Sequence, residues 1–505
     1  MNNSKNFVWF SFFKEVLKIK NINFDFNTFF SESKKKWDKF NIYFTYNDKD
    51  ILKSSLSNCI FLLKYFEKDF FCLNNFVLKD ILKTIDLEEL KQKILEKPNS
   101  EFLRKIAFLV EKILEIDIKL EENFSIKKNY INILNPEIFI TSNSKLNKKC
   151  KKYKIIDNSL WEIWKFNPII LKNEIKNEIF TVDFNKNLEN INSKFDKEII
   201  KKAITYLYTK ETKWSLEIEW EKFSQSKNRW FLKLISDIPL LQKLEKNDII
   251  NFHNIIYDSD FSDYRKSQNY IGSWNWMMGE NIIEYIPPKS ENLDFLMDSL
   301  LNFYNKNINE LNPILLSTIL STQFVLIHPF MDWNWRHSRF LFQFALLNSW
   351  VSLIWKDKII LPVSAFIQLN KWEYYKNLEN ISKKLFDFID FEEYENWEIK
   401  VLNDTKNVYT NIDFTKISNY FYEVLNKSIN IDYKKELDYI KKFYKIYTFI
   451  DSNFNISSQN ISFITKNILW NNWKLSISKK NILEKKWVDL KILEKIEKDI
   501  AKNLD

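Results

Sequence analysis

One stretch of the chain gathers most of its chemically active side chains, and it reads Phe324-Val-Leu-Ile-His328-Pro-Phe330-Met-Asp332-Trp-Asn334-Trp-Arg336-His-Ser-Arg339. It holds a histidine, a carboxylate, an amide and two guanidinium groups between two apolar runs. The apolar runs predict helices that hold the intervening residues in place. A base, a carboxylate and two cations so close together can hold a nucleoside triphosphate and its metal while a nucleophile is activated.

The same stretch resembles the signature of Fic-domain proteins, H-P-F-x-D-G-N-G-R-x-x-R, at every position but two. Trp333 and Trp335 stand where that signature has glycine. The resemblance implies a mostly α-helical fold, a Fic-type helical bundle with a small β-hairpin flap and helical N- and C-terminal regions. It also implies an enzyme, a protein adenylyltransferase that transfers AMP from ATP to a Tyr, Thr or Ser hydroxyl of a target protein.

The resemblance assigns three side chains to the reacting groups. His328 would be the general base, because a neutral imidazole can take the proton of the attacking hydroxyl near pH 7. Asp332 would hold Mg²⁺ between the α- and β-phosphates, since Mg²⁺ takes few carboxylates and completes its shell with substrate oxygens. Asn334 would orient the α-phosphate.

The other residues of the motif would hold the remaining phosphates. Arg336 and Arg339 would neutralise the β- and γ-phosphates, where lysine could not reproduce their bidentate forks. The loop 332–336 precedes a predicted helix, so its backbone N–H groups predict an anion-binding nest. Glycine at 333 and 335 would let this nucleotide-binding backbone approach the phosphates, whereas Trp333 and Trp335 would occupy the phosphate volume.

Glycine is scarce in this chain and tryptophan is abundant. The chain has 2 glycines and 18 tryptophans, where roughly 35 glycines would be usual at about 7% usage. Tryptophan stands at five positions where the resemblance expects glycine, namely Trp161, Trp220, Trp333, Trp335 and Trp473. The favoured hypothesis is that UGA codons meaning glycine are written as tryptophan, so that the glycine version is competent and the written chain a poor enzyme. The alternative is an aromatic-rich protein with a degenerate site.

The net charge of +9 does not come from a basic block. Arginine occurs only at positions 104, 229, 265, 336 and 339, and lysine is spread along the entire chain. This pattern argues against nucleic acid as a partner.

No apolar run reaches membrane-spanning length and no cleavable signal pattern opens the sequence, so we expect no membrane association. Three cysteines without metal-ligand spacing fit a reducing compartment, so we expect a cytoplasmic protein, with a homodimer left open.

The stretch Thr212-Lys-Trp-Ser215-Leu-Glu-Ile-Glu219-Trp220 resembles the family's inhibitory motif, (S/T)-x-x-x-E-(G/N). The resemblance implies an autoinhibited protein with Ser215 and Glu219 on an inhibitory helix near 212–224, N-terminal to the catalytic core. Glu219 would pair with Arg339. A carboxylate and a γ-phosphate compete for the same bidentate donor, so this pair would block the nucleotide. The alternative is a solvated helix face.

Residues 264–288 resemble the family's flap, Y-R-x-x-q-x-x-I-G followed by Y/F-x-P-P. Alternation around turn residues predicts two short strands here. The resemblance implies that Ile271, Gly272 and Tyr285 contact the target, whose backbone would add as a strand to the exposed hairpin edge. The alternative is an ordinary surface hairpin. His253 lies on an apolar helical face and is interpreted as a structural histidine.

Three regions are expected along the chain. They are a helical N-terminal accessory region at 1–200, a Fic domain at 201–400 and a helical C-terminal region at 401–505. Two functional alternatives remain beside AMP transfer. One is a family variant that removes AMP or transfers phosphate or another nucleotide. The other is a binding module whose catalytic site has decayed, which Trp333 and Trp335 favour.

Overall fold

The fold is mostly α-helical with small β-sheets, which confirms the expected fold class. The computed structural model describes residues 13, 27–30, 41–44, 54–121, 124–218, 234, 241, 243–257, 260–275, 280–350, 361–394, 398–470, 475–486 and 488–503. Across these residues, no helix is both long enough and apolar enough to cross a membrane.

The elements of the first half of the chain are mostly short helices. In order they are β1 (Asn27–Phe30), β2 (Asn41–Phe44), α1 (Ser55–Tyr65), α2 (Glu67–Phe71), α3 (Asn75–Lys83), α4 (Leu87–Glu96), α5 (Glu101–Leu114), β3 (Ile131–Asn132), β4 (Lys148–Cys150), β5 (Ile155–Asp157), β6 (Asn167–Ile169), α6 (Glu178–Thr181), α7 (Phe184–Asn192), α8 (Lys197–Glu217) and α9 (Lys246–Tyr257).

The second half contains the longer helices. In order they are β7 (Ile271–Asn275), β8 (Glu280–Tyr285), α10 (Leu293–Asn307), α11 (Pro313–Ile327), α12 (Asn334–Trp350), α13 (Val363–Leu369), α14 (Lys371–Phe386), β9 (Phe391–Glu393), β10 (Ile399–Val401), β11 (Asn411–Asp413), α15 (Thr415–Lys427), α16 (Lys434–Asn453), α17 (Ser458–Trp470), α18 (Ile477–Glu484) and α19 (Leu490–Asn503).

The chain divides into two compact units that both combine separate segments of the sequence. The first unit comprises Met1–Thr181, Ser224–Leu353 and Asn370–Tyr422. The second unit comprises Val182–Phe223, Ile354–Leu369 and Glu423–Asp505. The expected division at residues 200 and 400 stays a prediction.

In the first unit, α11 and α12 lie against each other. Helix α10 packs against α11, and α9 packs against α12 and α10. Every residue of α11 from Ile314 to Ile327 is buried, because its sequence is apolar on all sides. Asn312 caps the start of this helix by accepting the N–H of Ile314 at 2.9 Å, and Pro313 occupies the first turn, where no N–H is required. The helix therefore has a fixed start and a fully enclosed end.

Strands β7 and β8 form the expected β-hairpin, paired antiparallel with a bulge between Ile271 and Gly272. Within the described part of the chain neither strand pairs with a third. Strand β8 also lies against α14. A hairpin of this kind keeps an outer edge of backbone N–H and C=O groups on β7.

The regular secondary structure of the second unit is helical across its described residues. Helix α8 packs against α13 and α16. The buried carboxylate of Glu211 on α8 accepts the backbone N–H of Ser364 at 2.8 Å and its hydroxyl at 2.6 Å, at the start of α13. Further along, α16 to α19 enclose an apolar core that includes Ile450, Ile464 and Leu493. The second unit therefore contains an apolar cluster of its own.

Candidate active site

The candidate active site lies where α11 ends in the first unit. Helix α11 ends at Ile327, and His328 follows in the left-handed conformation with φ 52° and ψ 58°. Its backbone N–H donates to the carbonyl of Phe324 at 2.9 Å. Histidine tolerates this conformation better than most residues. The turn directs the chain out of the helix and begins the His328 loop, residues 328–333.

The His328 ring has the protonation state that a general base needs. Its Nδ1 lies 3.3 Å from the carbonyl oxygen of Val325. Because a carbonyl only accepts, the proton of the neutral ring is on Nδ1, and Nε2 keeps its lone pair. Burial, followed by the positive charge of Arg265, lowers the pKa of His328 to about 4. The ring is therefore a neutral base at pH 7.

Asn334 closes the His328 loop at its other end. Its Oδ1 accepts the N–H of Phe330 at 3.0 Å, and its Nδ2 donates to the carbonyl of Phe330 at 2.8 Å. The side chain is fully buried at the first residue of α12. These two bonds fix the loop backbone, and the predicted contact of Asn334 with an α-phosphate stays a prediction.

Asp332 is the exposed carboxylate of the loop. Its Oδ1 accepts the N–H of Trp333 at 2.7 Å. In the described part of the chain, no three His, Cys, Asp or Glu side chains converge in a way that could hold a metal ion. Mg²⁺ can be held by one carboxylate when substrate phosphates and water supply its other ligands. Asp332 therefore fits a magnesium ion that arrives with a nucleotide, and it does not fit one held by protein alone.

Trp333 occupies a backbone conformation that favours glycine. Its φ is 60°, in the left-handed region, where a Cβ atom crowds the backbone. The indole lies 3.7 Å from the guanidinium carbon of Arg336 and meets the Tyr257 ring edge-on, with ring centroids 5.1 Å apart. The indole thus covers one face of a predicted phosphate ligand.

Trp335 differs from Trp333 although both replace a glycine of the same motif. It lies in the first turn of α12, and among the described residues it is not one of those with positive φ. Its ring packs edge-on against Tyr374 and Tyr375 of α14. The backbone at 335 therefore does not require glycine. Trp161 also lacks a positive φ, and Trp220 and Trp473 lie outside the described residues.

Arg336 and Arg339 lie one turn apart on α12, and both are buried. The structure thus brings His328, Asn334 and the two arginines together around one loop, with Asp332 at its surface. Ser215 is buried on α8 in the second unit. Glu219 lies outside the described residues, so its pairing with Arg339 stays a prediction.

Two further histidines lie beneath the His328 loop in an aromatic cluster. The ring of His253 stacks on Phe330 with centroids 3.7 Å apart and planes 4° apart. His337 lies 4.5 Å from the ring of Phe324, also centroid to centroid. Neither nitrogen of His337 has a hydrogen-bond partner in the part of the chain that the structure describes. Burial lowers the pKa of His253 to about 3 and that of His337 well below its usual value.

The flap residues divide between exposed and buried positions. Gly272 is exposed and Ile271 is half-buried on β7. Tyr285 is buried at the end of β8, and its hydroxyl donates to the carbonyl of Leu326 at 2.5 Å. Target contacts by these residues stay predictions. Sequence reasoning gave no role to Arg265, whose side chain reaches the His328 carbonyl. Its signals were its place in the Y-R of the flap resemblance and its rarity as one of five arginines.

Part of the chain matches a known protein family. Residues 243–346, which contain α9 to α11, the flap and most of α12, match the model of the Fic/DOC family. The chain therefore carries a Fic/DOC-family domain. A Fic family protein from Desulfovibrio desulfuricans G20 is similar at 16% identity, covering 58% of this chain and 84% of its own, with a TM-score of 0.36.

A second similar structure is a Fic domain-containing signaling protein from Bacteroides thetaiotaomicron VPI-5482. It shares 16% identity, covers 51% of this chain and 97% of its own, and has a TM-score of 0.32. Curated proteins give no match.

Substituting Trp333 by glycine and by alanine distinguishes the effect of backbone strain from the effect of losing the indole. Both substitutions remove the same ring, but only alanine keeps a Cβ atom at φ 60°. We expect the free energy of unfolding of Trp333→Gly to exceed that of Trp333→Ala by about 1 kcal/mol. Urea unfolding at pH 7 measures the difference.

Position 335 is the matched control, because it lies in a helix. There we expect the free energy of unfolding of Trp335→Ala to exceed that of Trp335→Gly by about 1 kcal/mol, since glycine loses more conformational entropy in a helix. The same ranking of glycine and alanine at both positions would contradict a left-handed requirement at 333.

Acid should destabilise the first unit through its buried histidines. The unfolded chain takes up protons near pH 6.5, whereas the folded histidines do so only at lower pH. Their contribution to stability is complete above pH 6.5 and is lost as the pH falls toward their folded pKa values. His337→Leu removes one such group and an unsatisfied buried polar ring, which should raise stability by about 1 kcal/mol at pH 7.

Between pH 7 and pH 5 the advantage of His337→Leu over the parent should grow by about 2 kcal/mol. Urea unfolding at the two pH values measures this change. Phe340→Leu is the control, because Phe340 is a buried neighbour of His337 that does not titrate. If the advantage of His337→Leu stayed constant between pH 7 and pH 5, folding would not lower the pKa of His337. The ring would then be protonated in the folded protein at pH 5.

Proposed function

We propose that the chain is a protein adenylyltransferase that transfers AMP from ATP to a Tyr, Thr or Ser hydroxyl of a target protein. The observation that carries the proposal is the neutral His328 ring, with Nδ1 directed to Val325 and Nε2 left to accept a proton. It lies in one loop with an exposed carboxylate and precedes a helix that carries two arginines. The Fic/DOC family match over residues 243–346 supports the same class of reaction.

The reaction moves one proton and exchanges one phosphorus–oxygen bond for another. The target hydroxyl oxygen bonds to the α-phosphorus of ATP, its proton passes to Nε2 of His328, and pyrophosphate leaves. Arg336 and Arg339, near the N-terminus of α12, would neutralise the phosphates, and the helix dipole there also favours negative charge. Mg²⁺ held by Asp332 would supply further positive charge to the phosphate oxygens.

A decayed binding module is the second candidate, and the position of Trp333 favours it for the chain as written. The indole covers the face of the Arg336 guanidinium, and a left-handed tryptophan strains the loop. If position 333 is glycine in the natural protein, both obstacles disappear. The codons distinguish the two candidates, because UGA at 333 would mean reassigned glycine and UGG a genuine tryptophan.

The central test is transfer of label from α-³²P-ATP in the presence of Mg²⁺. The protein would carry glycine at the 18 tryptophan positions together with Glu219→Gly. We expect a labelled protein band that falls by about 10²–10⁴-fold in His328→Ala, the usual loss of a general base. Fluorescent-nucleotide binding should remain in His328→Ala, which shows that the variant is folded.

Activity in the written all-tryptophan chain of verified mass would refute the glycine hypothesis. A folded glycine protein that transfers no label would refute AMP transfer. Label from γ-³²P-ATP would then test phosphate transfer, and release of AMP from a labelled target would test the reverse reaction.

Autoinhibition by Glu219 is part of the proposal and has its own test. We expect Glu219→Gly to raise AMP transfer by about 10–100-fold, because a charge-assisted pair with Arg339 contributes about 1.5–3 kcal/mol. The control is Glu198→Gly, an exposed glutamate near the start of helix α8. Equal transfer by the Glu219→Gly protein and its parent would remove the inhibitory assignment.

A further inference from the structure

Arg265 connects the flap to the His328 loop through its side chain and its backbone. Its Nε donates to the carbonyl of His328 at 2.9 Å. Its backbone N–H donates to the carbonyl of Pro329 at 2.8 Å. Arg265 therefore binds two consecutive carbonyl groups that begin the loop, and it does so from a buried position.

The other guanidinium nitrogens of Arg265 bind the two ends of the hairpin. One terminal nitrogen donates to the carbonyl of Ser267 at 2.8 Å, ahead of β7, and the other donates to the carbonyl of Pro288, beyond β8. One planar group thus holds the entry and the exit of the hairpin against His328. The five fixed N–H groups of arginine allow this geometry, which lysine cannot reproduce.

Tyr285 makes a second connection next to the first. Its hydroxyl donates to the carbonyl of Leu326, two residues before His328. The hydroxyl of Tyr409 donates to the carbonyl of Ile286 at 2.5 Å, which fixes the strand end that carries Tyr285. The end of β8 is therefore attached to the end of α11 by neutral as well as charged hydrogen bonds.

The charge of Arg265 has no carboxylate partner among the described residues, since its guanidinium donates only to carbonyl groups there. Burial lowers the pKa of Arg265 to about 10, so the group remains charged at pH 7. A buried cation that is not neutralised by an acid acts at longer range than a paired one. The nearby imidazole of His328 experiences this charge.

We propose that Arg265 is a positioning residue that couples the flap to His328, so that a target strand added to the hairpin presents its hydroxyl to Nε2. The effect of this coupling on catalysis rests on the proposed function, whereas the coupling itself does not. Three hydrogen bonds from one guanidinium set the distance between the hairpin and the base. A displacement of about 1 Å at this connection would cost catalysis on the order of 100-fold.

The pKa of His328 reports directly on Arg265. The charged and titratable groups of the loop and of the elements around it include Arg265, Tyr285, Tyr409, Asp332, Arg336, Arg339, His253 and His337. Burial and then the charge of Arg265 lower the pKa of His328, while burial raises the pKa values of both tyrosines and keeps them neutral. Removal of the Arg265 charge should therefore raise the pKa of His328.

The experiment compares Arg265→Met, Arg265→Lys and Tyr285→Phe in the full-length chain. The chain has only three histidines, so ¹⁵N-histidine labelling gives three imidazole titrations, and His328→Ala identifies one of them. We expect Arg265→Met to raise the pKa of His328, while burial still holds it below the ordinary value of about 6.5. Arg265→Lys should raise the pKa of His328 less, because lysine keeps a positive charge. Tyr285→Phe should leave the pKa of His328 unchanged, because it removes no charge.

Hydrogen exchange tests the mechanical part of the coupling. We expect amides in peptides covering 280–288 and 324–331 to exchange faster together in Arg265→Met. The matched control is Arg104→Met, because Arg104 is another buried arginine whose bonds go to backbone carbonyls, those of Tyr153, Asn129 and Lys154. This control should lose stability without changing the His328 titration or these two peptides.

Catalysis is the third readout. In the glycine protein, Arg265→Met should lower AMP transfer on the order of 100-fold, while the affinity for a fluorescent ATP analogue stays unchanged. If the parent transfers no AMP, the proposed function fails, but the titration and exchange results still decide the coupling. An unchanged His328 pKa, or faster exchange in only one of the two peptides, would overturn the coupling.

Discussion

The buried C-terminal end of α11 is the constraint on which this site depends. A helix leaves its last four carbonyl groups without helical partners, and burial makes unsatisfied carbonyls costly. Three of these carbonyls, those of Phe324, Val325 and Leu326, bind the His328 N–H, the His328 ring and Tyr285, respectively. The carbonyl of His328, just beyond the helix, binds Arg265. Satisfying the helix end therefore positions the base and the flap in one step.

The same hydrogen bonds determine the chemistry that His328 can perform. A ring that donates from Nδ1 to its own helix has Nε2 directed elsewhere as an acceptor. Enclosure in apolar surroundings, with a cation nearby, disfavours the imidazolium form. Asn334 then holds the far end of the loop by both atoms of its amide group. The loop is preorganised because each of its fixed points is a buried hydrogen bond.

Left-handed backbone conformations at His328 and Trp333 mark the two ends of this loop. Histidine tolerates the conformation, whereas it is an outlier for tryptophan, a bulky residue whose Cβ atom lies next to a crowded carbonyl. The indole nevertheless finds a position between Tyr257 and Arg336, so aromatic packing and a cation–π contact offset part of the strain. Tryptophan at 335 experiences no such conflict, because its backbone is helical. A scarcity of glycine thus has different physical consequences at two positions of one motif.

The sequence by itself determined the helical class, the existence of a hairpin and the identity of the motif. These features depend on apolar periodicity, turn residues and spacing within about a dozen positions, which are local properties. Only the tertiary structure decided that Arg265 reaches the His328 carbonyl across 63 positions and that Tyr285 reaches Leu326 across 41. It also decided that His253 and His337 form the aromatic cluster under the loop, and that position 333 is left-handed whereas 335 is helical. Packing of distant segments and the direction of a buried helix end select these contacts, and neither is encoded in the spacing of residues along the chain.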